Sequence, residues 1–163
     1  MTSSDFYASL PKKRMGAGAL MLNAAGNILI VKPTYREGWL LPGGSVEQDE
    51  SPAQGCSREV TEELGLKLRI VRLLCIDYTV KTEEKSEALQ FVFYYGILDQ
   101  KQIQAIKLQE AELSEYRFVA FEEAILLLDK NIARRLPSCV LALEQERTFY
   151  LEQGQDPYSD KVR

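Results

Sequence analysis

Residues 51 to 65 restrict the fold more than any other part of this sequence, because they contain the start, the end and the buried face of one helix. Ser51 and Gln54 match an S-x-x-Q capping box, and Pro52 suits the first helical position. Gly65 stands where a left-handed residue ends a helix. Apolar residues recur at helical spacing at Ala53, Cys56, Val60 and Leu64. We therefore predict a helix over Ser51–Leu64 that packs one face against a sheet.

The rest of the chain alternates strand patterns with two further helical patterns. Runs rich in β-forming residues and bounded by turn residues are Gly16–Leu22, Ile28–Lys32, Trp39–Leu41, Leu68–Val80, Leu89–Leu98 and Tyr116–Ala120. Helical spacing recurs over Phe121–Asp129 and Pro137–Leu151. This order predicts an α/β (α+β) fold, a central mixed sheet with helices on both faces, in a single domain over residues 1–163. Residues 1–13 are expected to form an N-terminal arm, and residues 155–163 a loose C-terminal tail.

The composition excludes several classes of reaction. The chain has no histidine, which removes Ser-His-Asp and Cys-His nucleophile systems and zinc sites with histidine ligands. Its three cysteines lack C-x-x-C spacing, so neither a disulfide framework nor a thiolate metal site is indicated. A net charge of −4 disfavours binding to long nucleic acid or to an anionic membrane. Proton transfer must therefore use carboxylates, Lys, Tyr, Cys or water.

The start of the chain gives an expectation about location. Residues 1–10 lack the basic start and the apolar run of a signal peptide. No apolar stretch of the sequence approaches the ~18 residues of a membrane span. Together with the cysteine pattern, this predicts a soluble, cytoplasmic protein.

Three glutamates share one face of the predicted helix. Glu59, Glu62 and Glu63 occupy positions i, i+3 and i+4, so their Cβ atoms lie about 5–6 Å apart. Like charges at this spacing oppose a helix by roughly 0.2–0.5 kcal/mol per pair unless a cation lies among them. Oxygen ligands with no His or Cys nearby favour Mg²⁺ or Mn²⁺ over zinc. For three glutamates alone, a solvated acidic face is the simpler interpretation, so the surrounding pattern decides.

That surrounding pattern runs from Gly44 to Leu66, 23 of the 163 residues. It resembles the Nudix box, G-x5-E-x7-R-E-U-x-E-E-x-G-U, in which U is an aliphatic residue. Every defined position matches: Gly44, Glu50, Arg58, Glu59, Val60, Glu62, Glu63, Gly65 and Leu66. Fixed residues that are each used at roughly 5–10% make a chance match on the order of 10⁻⁸ per starting point. The preceding Leu41-Pro42-Gly43-Gly44 and the flanking strands also resemble the family's fold, an α/β/α sandwich.

The resemblance implies a divalent-metal-dependent hydrolase that cleaves the pyrophosphate bond of a nucleoside diphosphate linked to another moiety. The implied cofactor is Mg²⁺, with Mn²⁺ as an alternative, and the implied partner is a small nucleotide-type substrate. A homodimer is left open. The metal would lower the pKa of bound water and neutralise charge on phosphate oxygens, while a carboxylate takes the proton.

The same resemblance assigns roles to residues on the helix. Glu59, Glu62 and Glu63 match the positions that bind the metal in the family. Glu63 or Glu59 also matches the residue that activates water, and family members differ on this role. Arg58 resembles the arginine that orients the adjacent glutamate, with Glu50 as a candidate partner.

Further candidates lie outside the helix. Gly43 and Gly44 are expected to form a tight turn that brings backbone amides close to the metal and phosphate site. Some members of the family place an extra metal ligand or base in the segment before the last predicted strand, where Glu110, Glu112 and Glu115 lie, and Glu112 is the candidate among them. Trp39 is predicted to belong to the core. The basic residues Arg14, Lys32 and Arg36 are predicted to be solvated surface charges.

Substrate choice is left open by the sequence. ADP-ribose hydrolases of the family often carry a proline beyond the box, where this chain has Lys81, and the array typical of NADH-hydrolysing members is also absent. A nucleoside triphosphate, including an oxidised one, or a nucleotide sugar stays open. Relatives that act on an mRNA cap or an inositol polyphosphate form a second class. A third alternative is a nucleotide-binding or regulatory module without turnover, which the presence of all three box glutamates disfavours.

Overall fold

One mixed sheet of seven strands organises the computed structural model, which describes residues 2–159. Its strands are β1 (Arg14–Leu22), β2 (Ile28–Pro33), β3 (Gly43–Ser45), β4 (Arg72–Thr79), β5 (Ala88–Ile97), β6 (Leu113–Val119) and β7 (Phe149–Glu152). The helices are α1 (Ser3–Ser9), α2 (Pro52–Leu64), α3 (Gln100–Gln104), α4 (Phe121–Leu127), α5 (Lys130–Ala133) and α6 (Leu136–Glu144). Among residues 2–159, none of the helices has the length and apolar composition needed to cross a bilayer.

The strand order is β6-β2-β1-β5-β4-β7, with β3 paired to β1 beside β2. β1 pairs with β5 in parallel, as β4 does with β7, and the other pairings are antiparallel. One edge of β1 is shared, because its first half pairs with β3 and its last residue with β2. The short strand β3, which contains Gly43 and Gly44, is thereby placed beside the middle of the sheet.

Apolar side chains of the sheet alternate between two core layers. On one side, Ala19 and Met21 of β1 pack in the layer that contains Cys56, Val60 and Leu64 of α2. On the other side, Leu20 packs in the layer formed with α4, α5 and α6, which includes Ala124, Ala133, Leu136 and Cys139. The predicted mixed sheet with helices on both faces is confirmed.

The predicted helix boundaries of α2 are also confirmed. Ser51 Oγ accepts a hydrogen bond from the Gln54 amide at 3.2 Å, and the Gln54 side chain accepts one from the Ser51 amide at 2.8 Å. Gly65 has φ +68° and donates its N–H to the carbonyl of Thr61. Because the apolar face is fixed against the sheet, the opposite, acidic face is turned toward β3.

Two predicted elements are wrong. Trp39–Leu41 forms only isolated bridges, Val31 of β2 with Leu40 and Trp39 with Leu128, and no continuous strand. The helix predicted over Pro137–Leu151 ends at Glu144 as α6, and Phe149–Glu152 forms β7 instead. In β7, buried Phe149 and Leu151 alternate with exposed residues, which is the period of a strand.

The chain ends differ in part from the sequence-based expectation. Within the predicted arm, Ser3–Ser9 forms the exposed helix α1, capped by Thr2 and Asp5. Of the predicted tail over residues 155–163, the structure describes residues 155–159, and residues 160–163 lie outside the described part.

A buried ion pair fixes the start of α6 to β4. Asp77 on β4 is fully buried, and its Oδ2 accepts a hydrogen bond from Arg135 Nε at 2.6 Å. Asp77 Oδ1 accepts the N–H of Gly154 at 2.9 Å, and Arg134 Nη2 lies 3.7 Å from Asp77 Oδ2. One carboxylate therefore connects β4, α6 and the turn after β7.

Asp77→Asn should destabilise the fold, because the neutral amide leaves the buried Arg135 guanidinium without its counter-charge. We expect the free energy of unfolding, measured by urea denaturation, to fall by about 3–5 kcal/mol. The matched control is Asp49→Asn at an exposed position, which should change it by at most about 0.5 kcal/mol. Equal stability of the two variants would contradict this role of Asp77.

Candidate active site

The buried carboxylate of Glu63 connects α2 to β3. Glu63 lies in the last turn of α2 and is only 5% exposed, and its Oε2 accepts the N–H of Gly43 at 2.8 Å. Gly43 has φ +139°, and a Cβ there would lie 2.1 Å from the Ala17 carbonyl oxygen of β1. Only glycine therefore fits at this position, and its amide is held against the carboxylate.

The next residue, Gly44, lies against Glu59. A Cβ on Gly44 would lie 2.5 Å from Glu59 Oε1, so a side chain there would displace this carboxylate from its present position. Gly43 and Gly44 lie in strand β3 and not in the predicted tight turn, and both allow close contact between β3 and the acidic face of α2.

Arg58 lies at the centre of the acidic face. It binds both carboxylate oxygens of Glu50, at 3.2 and 2.8 Å, and the carbonyl oxygen of Ser45 at 3.0 Å. Its Nη1 donates to Glu59 Oε1 at 2.9 Å and to Glu62 Oε2 at 3.1 Å. Arg58 thus orients two glutamates of the helix while anchoring the helix to the loop before it.

The electrostatic environment differs among these carboxylates. Burial raises the pKa of Glu63 to about 8, the Gly43 amide opposes this shift, and the charges of Glu59 and Glu112 add to it. Burial also raises the pKa of Glu59, against the effect of Arg58. The pKa of Glu50 is lowered by its hydrogen bonds with Arg58. Glu50 therefore ionises more readily than an ordinary glutamate, whereas Glu59 and Glu63 hold their protons more tightly than an ordinary glutamate does.

The loop that carries Glu112 is tied to the end of α2. The amides of Lys107 and Gln109 donate to the Leu64 and Glu63 carbonyls, at 2.9 and 3.0 Å. The carbonyl of Glu112 accepts the amide of Thr34 at 2.8 Å. Glu112 itself is exposed, and its charge acts on both Glu59 and Glu63. The backbone contacts place this loop beside the end of α2, and the charge of Glu112 acts on Glu59 and Glu63.

The candidate metal ligands are not gathered into a closed cage. Among residues 2–159, no group of three or more Asp, Glu or Cys side chains converges as a metal site, because Arg58 and Gly43 hold one oxygen of each helix glutamate. The second oxygens, Glu59 Oε2, Glu62 Oε1 and Glu63 Oε1, accept no hydrogen bond within this described part. Such an oxygen-only donor set fits a hard divalent cation, which tolerates flexible ligand geometry or retains water.

A cleft of about 280 Å³ begins at Gly43 and Gly44 and follows β1 and β5. Tyr35 and Arg36 border it on one side, and Arg135 borders it on another. A second cavity of about 240 Å³ continues it. Residues that line both are Arg14, Arg36, Lys85, Gln90, Ile132 and Arg135. The acidic face of α2 therefore adjoins a groove large enough for a small organic ligand.

Several groove residues were not recognised in the sequence. Arg14 and Arg36 are exposed, as predicted, and both also line the groove. Tyr35 is exposed and lines the groove, and partial desolvation together with the charge of Glu63 raises its pKa. Trp39 is 6% exposed and belongs to the core, as predicted. The groove is assembled from segments that are far apart along the chain, so no local pattern could have revealed it.

Stability of the metal-free protein should depend on pH through Glu63. Its folded-state pKa of about 8, against 4.5 for an ordinary glutamate, means that the folded state retains a proton that the unfolded chain releases. The free energy of unfolding in EDTA should therefore fall by about 2–5 kcal/mol as the pH rises from about 4.5 to about 8. Glu63→Gln keeps an acceptor for the Gly43 amide and should remove this fall.

Urea denaturation at several pH values between about 5 and 8 tests this dependence. Glu84→Gln, in the exposed turn between β4 and β5, is the control and should retain the wild-type slope. The same slope in Glu63→Gln as in the control would contradict the assignment.

Comparison with known proteins identifies the family of the chain. A family model described as a NUDIX domain matches residues 12–139. An RNA pyrophosphohydrolase of Hydrogenovibrio crunogenus is 36% identical over 61 residues, which are 37% of this chain and 37% of that protein. Diphosphoinositol polyphosphate phosphohydrolase 2 of Rattus norvegicus is 38% identical over 66 residues, 40% of this chain and 37% of that protein. The matched region thus spans 37% of the length of each of these curated relatives.

The fold is also similar to solved structures. The crystal structure of a MutT protein from Methanosarcina mazei Go1 has a TM-score of 0.65 and 24% sequence identity, over 86% of this chain and 100% of that chain. This similarity concerns the fold alone. Because the family model covers residues 12–139 of the 163-residue chain, the protein belongs to the NUDIX domain family.

Proposed function

We propose that this chain is a divalent-metal-dependent hydrolase that cleaves the pyrophosphate bond of a nucleoside diphosphate linked to another moiety. The observation that carries the proposal is the position of the buried Glu63 carboxylate. It is held by Gly43 where the acidic face of α2 meets the mouth of the groove. A diphosphate at that mouth would lie between the carboxylates of α2 and the basic residues of the groove.

In this proposal Glu59, Glu62, Glu63 and Glu112 hold Mg²⁺ or Mn²⁺ through the carboxylate oxygens that the protein's own hydrogen bonds leave unused. Nudix hydrolases generally use divalent metal ions. The bound ion would supply water of lowered pKa and positive charge for the phosphate oxygens.

The chain's own residues would position the reactants and move the proton. Glu63 and Glu59 are the two candidates for accepting the proton of the attacking water, and burial gives both a greater proton affinity than a solvated glutamate has. Arg58 keeps Glu59 and Glu62 in place. Gly43 and Gly44 leave room for the phosphates to approach the acidic face.

The names of the relatives support pyrophosphate chemistry without choosing a substrate. They include an RNA pyrophosphohydrolase and a diphosphoinositol polyphosphate phosphohydrolase. The groove next to Gly43 favours a small nucleotide-type substrate, and the net charge of −4 disfavours long nucleic acid. The single domain over residues 1–163, the cytoplasmic location and the homodimer stay predictions from the sequence.

Hydrolysis with Mg²⁺, Mn²⁺ or EDTA tests the proposal across nucleoside triphosphates, oxidised nucleotides, nucleotide sugars, ADP-ribose and dinucleoside polyphosphates. We expect EDTA-sensitive release of phosphate or nucleoside monophosphate from at least one group. Glu62→Gln and Glu63→Gln should each lower turnover by about 10²–10⁴-fold. The folded protein should keep or gain stability, because the amide oxygen can still accept the hydrogen bond of Arg58 or Gly43 and Glu62→Gln also removes one of the like charges.

The exposed Glu84→Gln is the control and should retain wild-type turnover. Unchanged turnover in both Glu62→Gln and Glu63→Gln would show that the assigned site is wrong. If the folded wild-type protein binds metal and nucleotide but hydrolyses none of the panel, the alternative of a nucleotide-binding or regulatory module is favoured.

A further inference from the structure

The far end of the groove is strongly basic although the whole chain is acidic. The second cavity is lined by the cationic residues Arg14, Arg36, Lys85, Arg134 and Arg135, and by a single carboxylate, Asp129. Asp129 is occupied by a hydrogen bond from Arg36. The chain as a whole has a net charge of −4. This local excess of positive charge favours an anionic ligand.

The basic end is built around a buried guanidinium. Arg135 is 6% exposed, and its Nε is fixed by Asp77 at 2.6 Å. Within residues 2–159 its two terminal nitrogens donate no hydrogen bond, and the residue borders both cavities. The Arg135 guanidinium is therefore held in a fixed orientation beside the groove, where its two Nη atoms can donate hydrogen bonds to a ligand.

Arg134 adds a second cation that Asp77 does not neutralise. Its Nη2 donates to the Gln153 side chain at 3.0 Å and lies 3.7 Å from Asp77. Its buried Nε has no acceptor in the described part of the chain. One carboxylate thus faces two guanidinium groups, which leaves a net positive charge beside the cavity.

Lys85 also lines this cavity. It lies in the exposed turn between β4 and β5 and forms no ion pair within the described residues. Guanidinium forks together with an ammonium group match the several acceptor oxygens of a phosphate dianion better than the two of a carboxylate. The donor set therefore favours a phosphate monoester.

This basic end is distant from the place where a diphosphate would bind. Arg134, which lines only the far cavity, binds Gln153, and Gln153 also accepts the Val80 amide just after the end of β4. The neighbouring Thr79 lies across β5 from Arg14, four residues before Gly18, which pairs with Gly43; the offset along the strands is roughly 13 Å at ~3.3 Å per residue. Two phosphates that share one bridging oxygen cannot reach both places. An anion bound at the far end must therefore belong to another part of the substrate.

We propose that the substrate carries a second phosphate, a monoester on the moiety away from the scissile diphosphate, which Lys85, Arg134 and Arg135 bind. The position of the scissile diphosphate beside Gly43, on which this inference depends, rests on the proposed function.

Binding in EDTA tests the phosphate site without turnover. Isothermal titration calorimetry would compare bisphosphates long enough to span this separation, the bisphosphate esters of 1,6-hexanediol and 1,8-octanediol, with the corresponding monophosphates. At least one bisphosphate should bind about tenfold more tightly than its monophosphate. Lys85→Gln and Arg134→Gln should each reduce this ratio to about twofold or less, with thermal midpoints confirming that the variants are folded.

Lys101→Gln, at an exposed position on α3, is the matched control and should keep the wild-type ratio. Equal binding of bisphosphates and monophosphates would overturn the inference, as would a ratio that the Lys85 and Arg134 substitutions leave unchanged.

Hydrolysis by the wild-type protein separates the two proposals. If it cleaves pyrophosphate substrates but binds bisphosphates no more tightly than monophosphates, only the second-phosphate inference fails. If the preference for a bisphosphate depends on Lys85 and Arg134 but no substrate is cleaved, the phosphate site stands and the proposed hydrolysis fails.

Discussion

The contacts of Arg58 are the constraint on which the acidic face of α2 depends. One guanidinium binds Glu50 and the Ser45 carbonyl on the loop before the helix, and Glu59 and Glu62 on the helix itself. Without it, these carboxylates would repel one another at close range. Arg58 supplies only one positive charge, however, so the face that also contains Glu63 stays negative. A further cation is the simplest way to neutralise that excess.

Strand β1 links this acidic face to the groove. Its residues 16–18 pair with β3 and so hold Gly43 against Glu63, while Arg14 at its start borders the basic end. The buried pair of Asp77 and Arg135 fixes the other wall of that end. A single rigid sheet therefore sets the separation between the proposed diphosphate position and the proposed second phosphate, which is how the fold would select a substrate by length and charge.

The helix and its glutamates could be predicted because their signals are local. The Ser51 cap, the terminal Gly65 and the spacing of Glu59, Glu62 and Glu63 lie within fifteen residues, and the structure places them as expected. The strand Phe149–Glu152 was predicted as helix, because its conformation is decided by pairing with β4, more than seventy residues away. The groove was missed for the same physical reason, since several distant segments contribute to it.

Equilibrium binding of Mn²⁺, followed by the electron paramagnetic resonance signal of the hydrated ion, tests most directly whether the acidic face of α2 binds a divalent cation. The account predicts that the wild-type protein removes Mn²⁺ from the hydrated signal and that Mg²⁺ competes for the site. A variant combining Glu59→Gln with Glu63→Gln should bind Mn²⁺ about 100-fold more weakly. Undiminished binding by that folded variant, or the absence of binding by the wild-type protein, would contradict the account.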